Sequence, residues 1–479
     1  MTKKFLCIII TCIIAISVCS CGKTAKDSDG VPTLIWYVPG DSQKDMPEVM
    51  EAANKIIEKK IGAKLDLKMI DESAFSEKMS MKMASNEVFD LCFTGYINQY
   101  KPGVDVGGFL ELTELINKYG KEMRKELPDY VFDSAKEQGG IYAVPNMQVM
   151  ANVEGIFFFE DIAQKYGIKE GMEFKDVTEL EPYFEEIKKN EKNVYPICNG
   201  AAQFYLLDYT PVNQNPTIYI KNDAKPGDKL RLVYDMDEYK QGLETTKRWY
   251  DKGYIRPDVD TAANNKTEDL RAGRYASFQG RWKPGIENDH KSMYGRKTVF
   301  VGSGHKLLTV ARDTMTAVSS TSKNPEKAMQ LLNLVNTDKE LYNIICYGLE
   351  GKHYEKLDGE YIRLIENSGY SQLACWKFGN QFNAYLLEGQ EPDIWKQTKA
   401  LNDSASRATS YGFSFDENGV KSEEAQCAAV VGEYSSLGNG SGDYEKLLPE
   451  CRKRLKNAGV DVIIDAAQKQ LDDWFKNNK

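Results

Sequence analysis

Histidine is nearly absent: 479 residues hold only three, His290, His305 and His353. Their scatter argues against a histidine-based triad or metal centre. No G-x-S-x-G elbow, Walker loop or H-E-x-x-H occurs. GSGHK (302–306) lacks the spacing that cradles phosphate and reads as a turn. DENGVKSEE (416–424) is oxygen-rich but lacks the ligand pattern of a calcium loop. C-x-x-C pairs for zinc or redox work are missing too. Nothing here calls for a cofactor or a catalytic residue.

Basic clusters are also lacking. The formal charge is −9, and an acidic chain without a basic stripe is a poor partner for nucleic acid or anionic lipid. Hydrophobic residues at 42% and charged residues at 28% are ordinary for a globular protein. A chain of this length holds two or three domains. After the N-terminus no run approaches membrane length, so the remainder reads as soluble and monomeric.

What is present begins with MTKKFLCIIITCIIAISVCSC (1–21). Lys3 and Lys4 precede an apolar run, and small residues close it before a cysteine, the layout of a secretory signal. The run is short of the roughly 20 apolar residues a membrane helix wants. Its end resembles a bacterial lipobox. Cys21 fits the lipidated position better than Cys19, because Ser20 before it is small whereas Val18 is branched. This predicts a signal over 1–20, a lipid on Cys21, and a fold held outside the membrane, at the surface or in the periplasm. Losing Lys3 and Lys4 takes the formal charge to −11. The small polar residues at 21–31 read as a tether. Of the ten cysteines, six remain beyond Cys21, widely spaced and often in apolar runs, and we expect mostly free thiols.

TLIWYVPG (33–40) reads as a buried strand ending in a turn. Met46, Val49, Met50, Ala53, Ile56 and Ile57 then repeat at helical spacing. AKLDLKMI (63–70) alternates as a strand, a helical stretch covers 74–86, and VFDLCFTG (88–95) is a third strand. The order predicts an α/β domain with a largely parallel sheet. In such sheets ligands bind outside the carboxyl ends of the strands. Farther on, TEDLRAGRYASFQGRWKPG (267–285) reads as helix, turn, strand and a loop carrying Trp282. Residues 313–336 read as strand, turn and helix, with Asn324 at the N-cap and Pro325 opening the helix. YGFSFDENGV (411–420) breaks the composition, and 410–479 is expected to form a small helical subdomain.

With catalysis unsupported, recognition remains. Sugars want flat aromatic platforms with amides or carboxylates beside them. Loop-like positions offer Trp36 and Tyr37 with Asp41, Tyr96 with Asn98, Trp282, and Trp376 with Asn380, Gln381 and Asn383. Taken singly, such aromatics are more often core.

The order of LTELINKYG (112–120), GGIYAVPN (139–146), EGIFFFEDIAQKYGI (154–168) and LRAGRYASFQGRW (270–282), behind a lipobox, resembles the extracellular solute-binding proteins of ABC importers. This is the class of maltose- and oligosaccharide-binding proteins. SSTSKNPEKAMQLLNLVNTDKELYNIICYGLEGKHY (319–354), FGNQFNAY (378–385) and the C-terminal stretch resemble a lipoprotein subgroup with a small C-terminal domain of unknown function. The resemblance implies a two-lobed periplasmic-binding-protein-like fold of type II, closing on its ligand about a hinge. It divides the chain into a first lobe (32–150 and 313–345), a second lobe (151–312 and 346–409) and the subdomain. It implies a sugar-stacking role for Trp282. Trp36, Tyr37, Asp41, Tyr96, Asn146, Trp376, Asn380 and Gln381 complete the candidate ligand site. The partners implied are a carbohydrate, an ABC permease and the membrane through Cys21. Two alternatives stand: the same fold taking a peptide or other polar solute, and a secreted glycosidase with two facing carboxylates.

Overall fold

A computed structural model describes residues 30–98, 100–214, 216–260, 266–308, 312–370 and 374–477. Cys21 and most of the expected tether lie outside the described residues. Among those described, no helix is long and apolar enough to cross a membrane.

The N-terminal alternation folds as its periodicity dictates. Strands Thr33–Pro39, Lys64–Ile70 and Leu91–Gly95 run parallel, connected by helices Met46–Ile61 and Glu72–Ala84. The first helix buries Val49, Met50, Ala53 and Ile57 against the sheet and ends at Gly62, whose φ of 60° suits the left-handed cap. Asp71 caps the second helix by accepting the Ser73 N–H at 3.0 Å.

The complete sheet is mixed, in the order 64–70, 33–39, 91–95, 314–318, 143–145. Strand Thr314–Val318 is antiparallel to both neighbours, a correction to the largely parallel expectation. The reason is topological. This strand arrives from the other lobe, enters at the carboxyl edge and so must run against the strands that end there. Helix Pro325–Thr337 follows as expected. Asn324 occupies the cap position, but its side chain makes no capping bond.

The second sheet has the order 298–308, 151–159, 275–281, 195–197. Its central strand Ala151–Phe159 is antiparallel to both neighbours, and Tyr195–Ile197 runs parallel to Tyr275–Arg281. Covered on both faces, that central strand ends in the uninterrupted run Phe157-Phe158-Phe159, each ring at most 1% exposed.

The polypeptide passes between lobes at 145–151; it leaves the second sheet at Leu308, joins the first at Thr314, and crosses again near 402–408. Asn402, fully buried, clamps the first passage. Its Oδ1 accepts the N–H groups of Met150 (2.8 Å) and Ala151 (3.0 Å), and its Nδ2 donates to Gln148 O at 2.7 Å.

Segment 346–385, expected in the second lobe, bonds to the first. Asp45 N donates to Gly369 O (3.0 Å), His353 Nε2 lies 3.2 Å from Asp45 Oδ2, and Phe378 packs edge-on against Trp36. Its strands of three and four residues carry too little periodicity to declare which lobe they join.

Helices Lys421–Glu433, Tyr444–Asn457 and Val460–Asn477 form the C-terminal unit. They are not separate from the second lobe. Leu455, Val460, Ile463 and Leu471 share one hydrophobic cluster with Ile218, Ile220 and Leu232. No disulfide joins the six described cysteines to one another, and five of them are buried.

Candidate functional site

The carboxyl ends of both sheets meet at the hinge. On the first lobe, Tyr96 follows strand Leu91–Gly95 and exposes 46% of its surface. Its ring centroid lies 5.9 Å from that of Trp376, tilted by 53°, and Phe93 backs both rings edge-on. The Tyr96 hydroxyl donates to Glu72 Oε1 at 3.1 Å. Desolvation, then the Glu72 carboxylate, push its ionisation far above the usual phenol range, so it stays a donor. Lys377 Nζ donates to Pro39 O (2.8 Å) and lies 3.7 Å from Glu72 Oε2. An angled aromatic surface is thereby edged with charge and hydroxyl.

Gly95 makes this corner possible. Its φ is 137°, and a Cβ there would meet Asp313 O at 2.0 Å. Tyr96 N donates to that same carbonyl at 2.8 Å. Asp313 as a residue keeps exposed surface beside this corner. Desolvation by the surrounding protein raises its carboxyl to about 6, against the opposing pull of Arg281 and Arg312. Arg312 is itself paired with Glu137 at 2.5 Å.

On the second lobe, strands 195–197 and 275–281 end side by side at a cavity of about 320 Å³. Asn199, Gln203, Tyr219, Tyr239 and Gln279 are among its lining residues. The Gln279 Nε2 group is buried without an acceptor. Beside it, Glu154 Oε1 accepts from Asn152 Nδ2 and Arg281 Nε, each at 3.0 Å. Trp282 sits at this edge, half-buried, its ring stacked on Phe300 with centroids 6.2 Å apart.

Of the expected ligand residues, the fold brings Tyr96 and Trp376 together and leaves Asp41 exposed at the same edge. Others are placed elsewhere. Trp36 is 0% exposed, so the expectation of a ligand platform is corrected: it is core. Tyr37, one residue on, faces the opposite side, where its hydroxyl donates to Glu87 at 3.2 Å beneath Lys82, away from the carboxyl edge. Asn146 is buried in the hinge, donating to Lys377 O at 2.9 Å. Asn380 is buried too and accepts Phe382 N–H at 3.0 Å, while Gln381 N donates to Met147 O at 2.8 Å. These three belong to the hinge rather than to an open wall.

Sequence reasoning missed Asn199, Gln203, Tyr219, Tyr239, Gln279 and Asp313. The usable signal was position: NGAAQ follows strand YPI after a single cysteine, and Gln279 stands three residues before Trp282.

Comparisons with known proteins follow the same lines. A model described as a domain of unknown function (DUF3502) matches residues 409–476. Lipoprotein LipO of Bacillus subtilis (strain 168) is 22% identical over 448 residues, 84% of each chain. The crystal structure of the N-glycan transport solute binding protein NgtS from Streptococcus pneumoniae is 28% identical, with a TM-score of 0.78, covering 94% of this chain and all of that one. NgtS in complex with Man1GlcNAc and with Man5GlcNAc gives TM-scores of 0.66 and 0.63. A carbohydrate ABC transporter substrate-binding protein of Streptococcus pneumoniae serotype 4 (strain ATCC BAA-334 / TIGR4) is 30% identical over 473 residues, 95% of this chain and 94% of the relative. That likeness runs through both lobes and the C-terminal helices, and the chain belongs to this family: it is the carbohydrate-binding, non-enzymatic component of an ABC importer.

Proposed function

We propose that the protein captures an oligosaccharide carrying mannose and N-acetylglucosamine between its lobes and delivers it to a membrane permease, while Cys21 holds it to the membrane by lipid. The observation that carries this reading is the placing of the Tyr96–Trp376 surface and the Asn199–Gln279 cavity at the carboxyl edges of two sheets joined by a hinge. One wall offers a stacking face, the other amide groups. NgtS, the relative solved with Man1GlcNAc and Man5GlcNAc, supports the ligand class. Its sugar complexes superpose less closely on this chain than its other structure does, which fits lobes that change their relative setting.

The mechanism is population shift. A ligand that touches both walls binds the closed arrangement better than the open one and moves the equilibrium by that difference. No covalent step is involved. Calorimetry and thermal shift with a panel of manno-oligosaccharides, other glycans and peptides test the reading. Binding of mannose–N-acetylglucosamine glycans above all others is expected; a panel that leaves heat signal and Tm unchanged, or a peptide that binds instead, overturns it.

A further inference from the structure

Two of the six described cysteines meet. Cys346 lies on helix Lys339–Tyr347, and Cys375 opens the short turn Cys375–Lys377 that carries Trp376. Tyr342 and Cys346 stand one helical turn apart and so share a face. The Tyr342 hydroxyl donates to Cys375 O at 2.9 Å, which brings the turn against that face. There the Cys346 S–H donates to the Cys375 sulfur, and the Tyr347 hydroxyl donates to the same sulfur. Cys346 is 0% exposed and Cys375 3%.

The other four are built differently. Cys427 turns to the backbone carbonyls of Leu455 and Ala458, and Cys198 to the Asn199 side chain. Burial raises the thiols of Cys92, Cys198, Cys427 and Cys451, as it does for inert structural cysteines. Cys375 departs from them. The hydrogen bond from Cys346 draws it below the usual thiol range against desolvation, and Tyr347 adds to the pull. Cys346 is raised, by burial first and then by its bond to Cys375. A sulfur that leans toward thiolate and touches a second thiol is the arrangement that thiol–disulfide exchange uses.

Exported chains meet an oxidising exterior. Resting on the export read from residues 1–21, we propose that Cys346 and Cys375 are a disulfide site, whose bond ties the turn carrying Trp376 to helix 339–347. The co-reactant is a small-molecule disulfide, of the class of cystine. The Cys375 thiolate attacks one of its sulfurs and expels the first small thiolate, leaving a mixed disulfide. The Cys346 thiolate then attacks the Cys375 sulfur and expels the second. The two protein protons end on the two departing thiolates, so one disulfide is consumed and one is formed. The exchange precedes the closing of the turn on the helix, since both sulfurs are enclosed afterwards.

The test uses the mature chain with Cys21→Ala, which retains the six cysteines. It is unfolded, reduced, and refolded with cystine. Alkylation under denaturing conditions should then label four thiols, the six less two, and a tryptic map should show one linked pair, Cys346 with Cys375. Reduction should lower Tm by about 3 °C, the scale for a disulfide closing a loop of this length in a chain of this size. Cys346→Ser and Cys375→Ser should each abolish the linked pair and the dependence on reductant, whereas Cys427→Ser should keep both. The map of the unsubstituted pair decides even where a serine variant does not fold. Full labelling of all six thiols after refolding with cystine, or a linked pair that omits Cys346 or Cys375, overturns the proposal and leaves the export and sugar readings untouched.

Discussion

The indole of Trp376 lies 5.9 Å, centroid to centroid, from the phenol ring of Tyr96, though the two residues come from opposite ends of the first lobe's chain. Trp36 sits in the same lobe and is wholly enclosed. The contrast separates a binding role from a structural one.

Trp376→Ala should therefore weaken sugar affinity by about 2 kcal/mol, roughly 30-fold, as for a central aromatic anchor, with a small change in Tm. Trp36→Ala should do the reverse, costing about 3–5 kcal/mol of stability. Trp36→Phe should cost less, since the buried indole N–H has no acceptor to lose. Calorimetry and denaturant melts on the same preparations check the pair.

Two groups oppose each other in acid. Desolvation by neighbouring groups raises the carboxyl of Asp313, a residue that keeps exposed surface, to about 6 from a usual 3.8, so the folded state holds its proton more tightly. Its stabilising contribution is full below about pH 4 and is lost as pH rises through 6. Burial lowers His290 to about 4 from 6.5, against a weaker pull from Asp289. Its contribution is full above pH 6.5 and is lost as pH falls through 4. The two trends offset each other between pH 4 and 6.5. Asp313→Asn should make stability drop more steeply on acidification, and His290→Leu should make it rise. Tm measured across pH 4–8 decides; parallel curves for wild type and both variants would refute the assignment.

Asn402→Ala strips partners from two buried N–H groups and one carbonyl. At about 1–3 kcal/mol per orphaned group, with partial relaxation, a loss of roughly 3 kcal/mol is expected in urea melts. Asn402→Asp should not rescue it, because a carboxylate cannot donate to Gln148 O.

Cys21→Ala should release the protein from the membrane fraction while leaving sugar affinity unchanged, and should slow uptake by removing the local concentration that tethering provides. Fractionation with a parallel uptake assay reads both effects.

Much of the frame was legible because it rests on local periodicity. The strands at 33–39 and 64–70 and the helix between them follow from side-chain spacing alone. The same alternation carries the lesson of Trp36: Leu34, Trp36 and Val38 form one buried row, so a tryptophan on that row points inward. Tyr96 and Trp376 were found because aromatic and polar residues cluster at their loops. Gln279 and Asn199 gave no such local sign. Single amides are common, and only the pairing of strand 195–197 with 275–281 sets these two side by side. Segment 346–385 is hard to place from sequence for a related reason: its contacts with the first lobe depend on distant bonds, such as His353 to Asp45, that no window of sequence displays.

The cluster joining Leu455, Ile463 and Leu471 to Ile218 and Leu232 has a consequence for inheritance and for engineering. Residues 409–476 cannot travel as a cassette. Grafted onto another receptor, the helices would arrive with a bare oily flank. Cut from this one, they would leave the strands at 209–232 uncovered. The transplantable unit is helices and strands together.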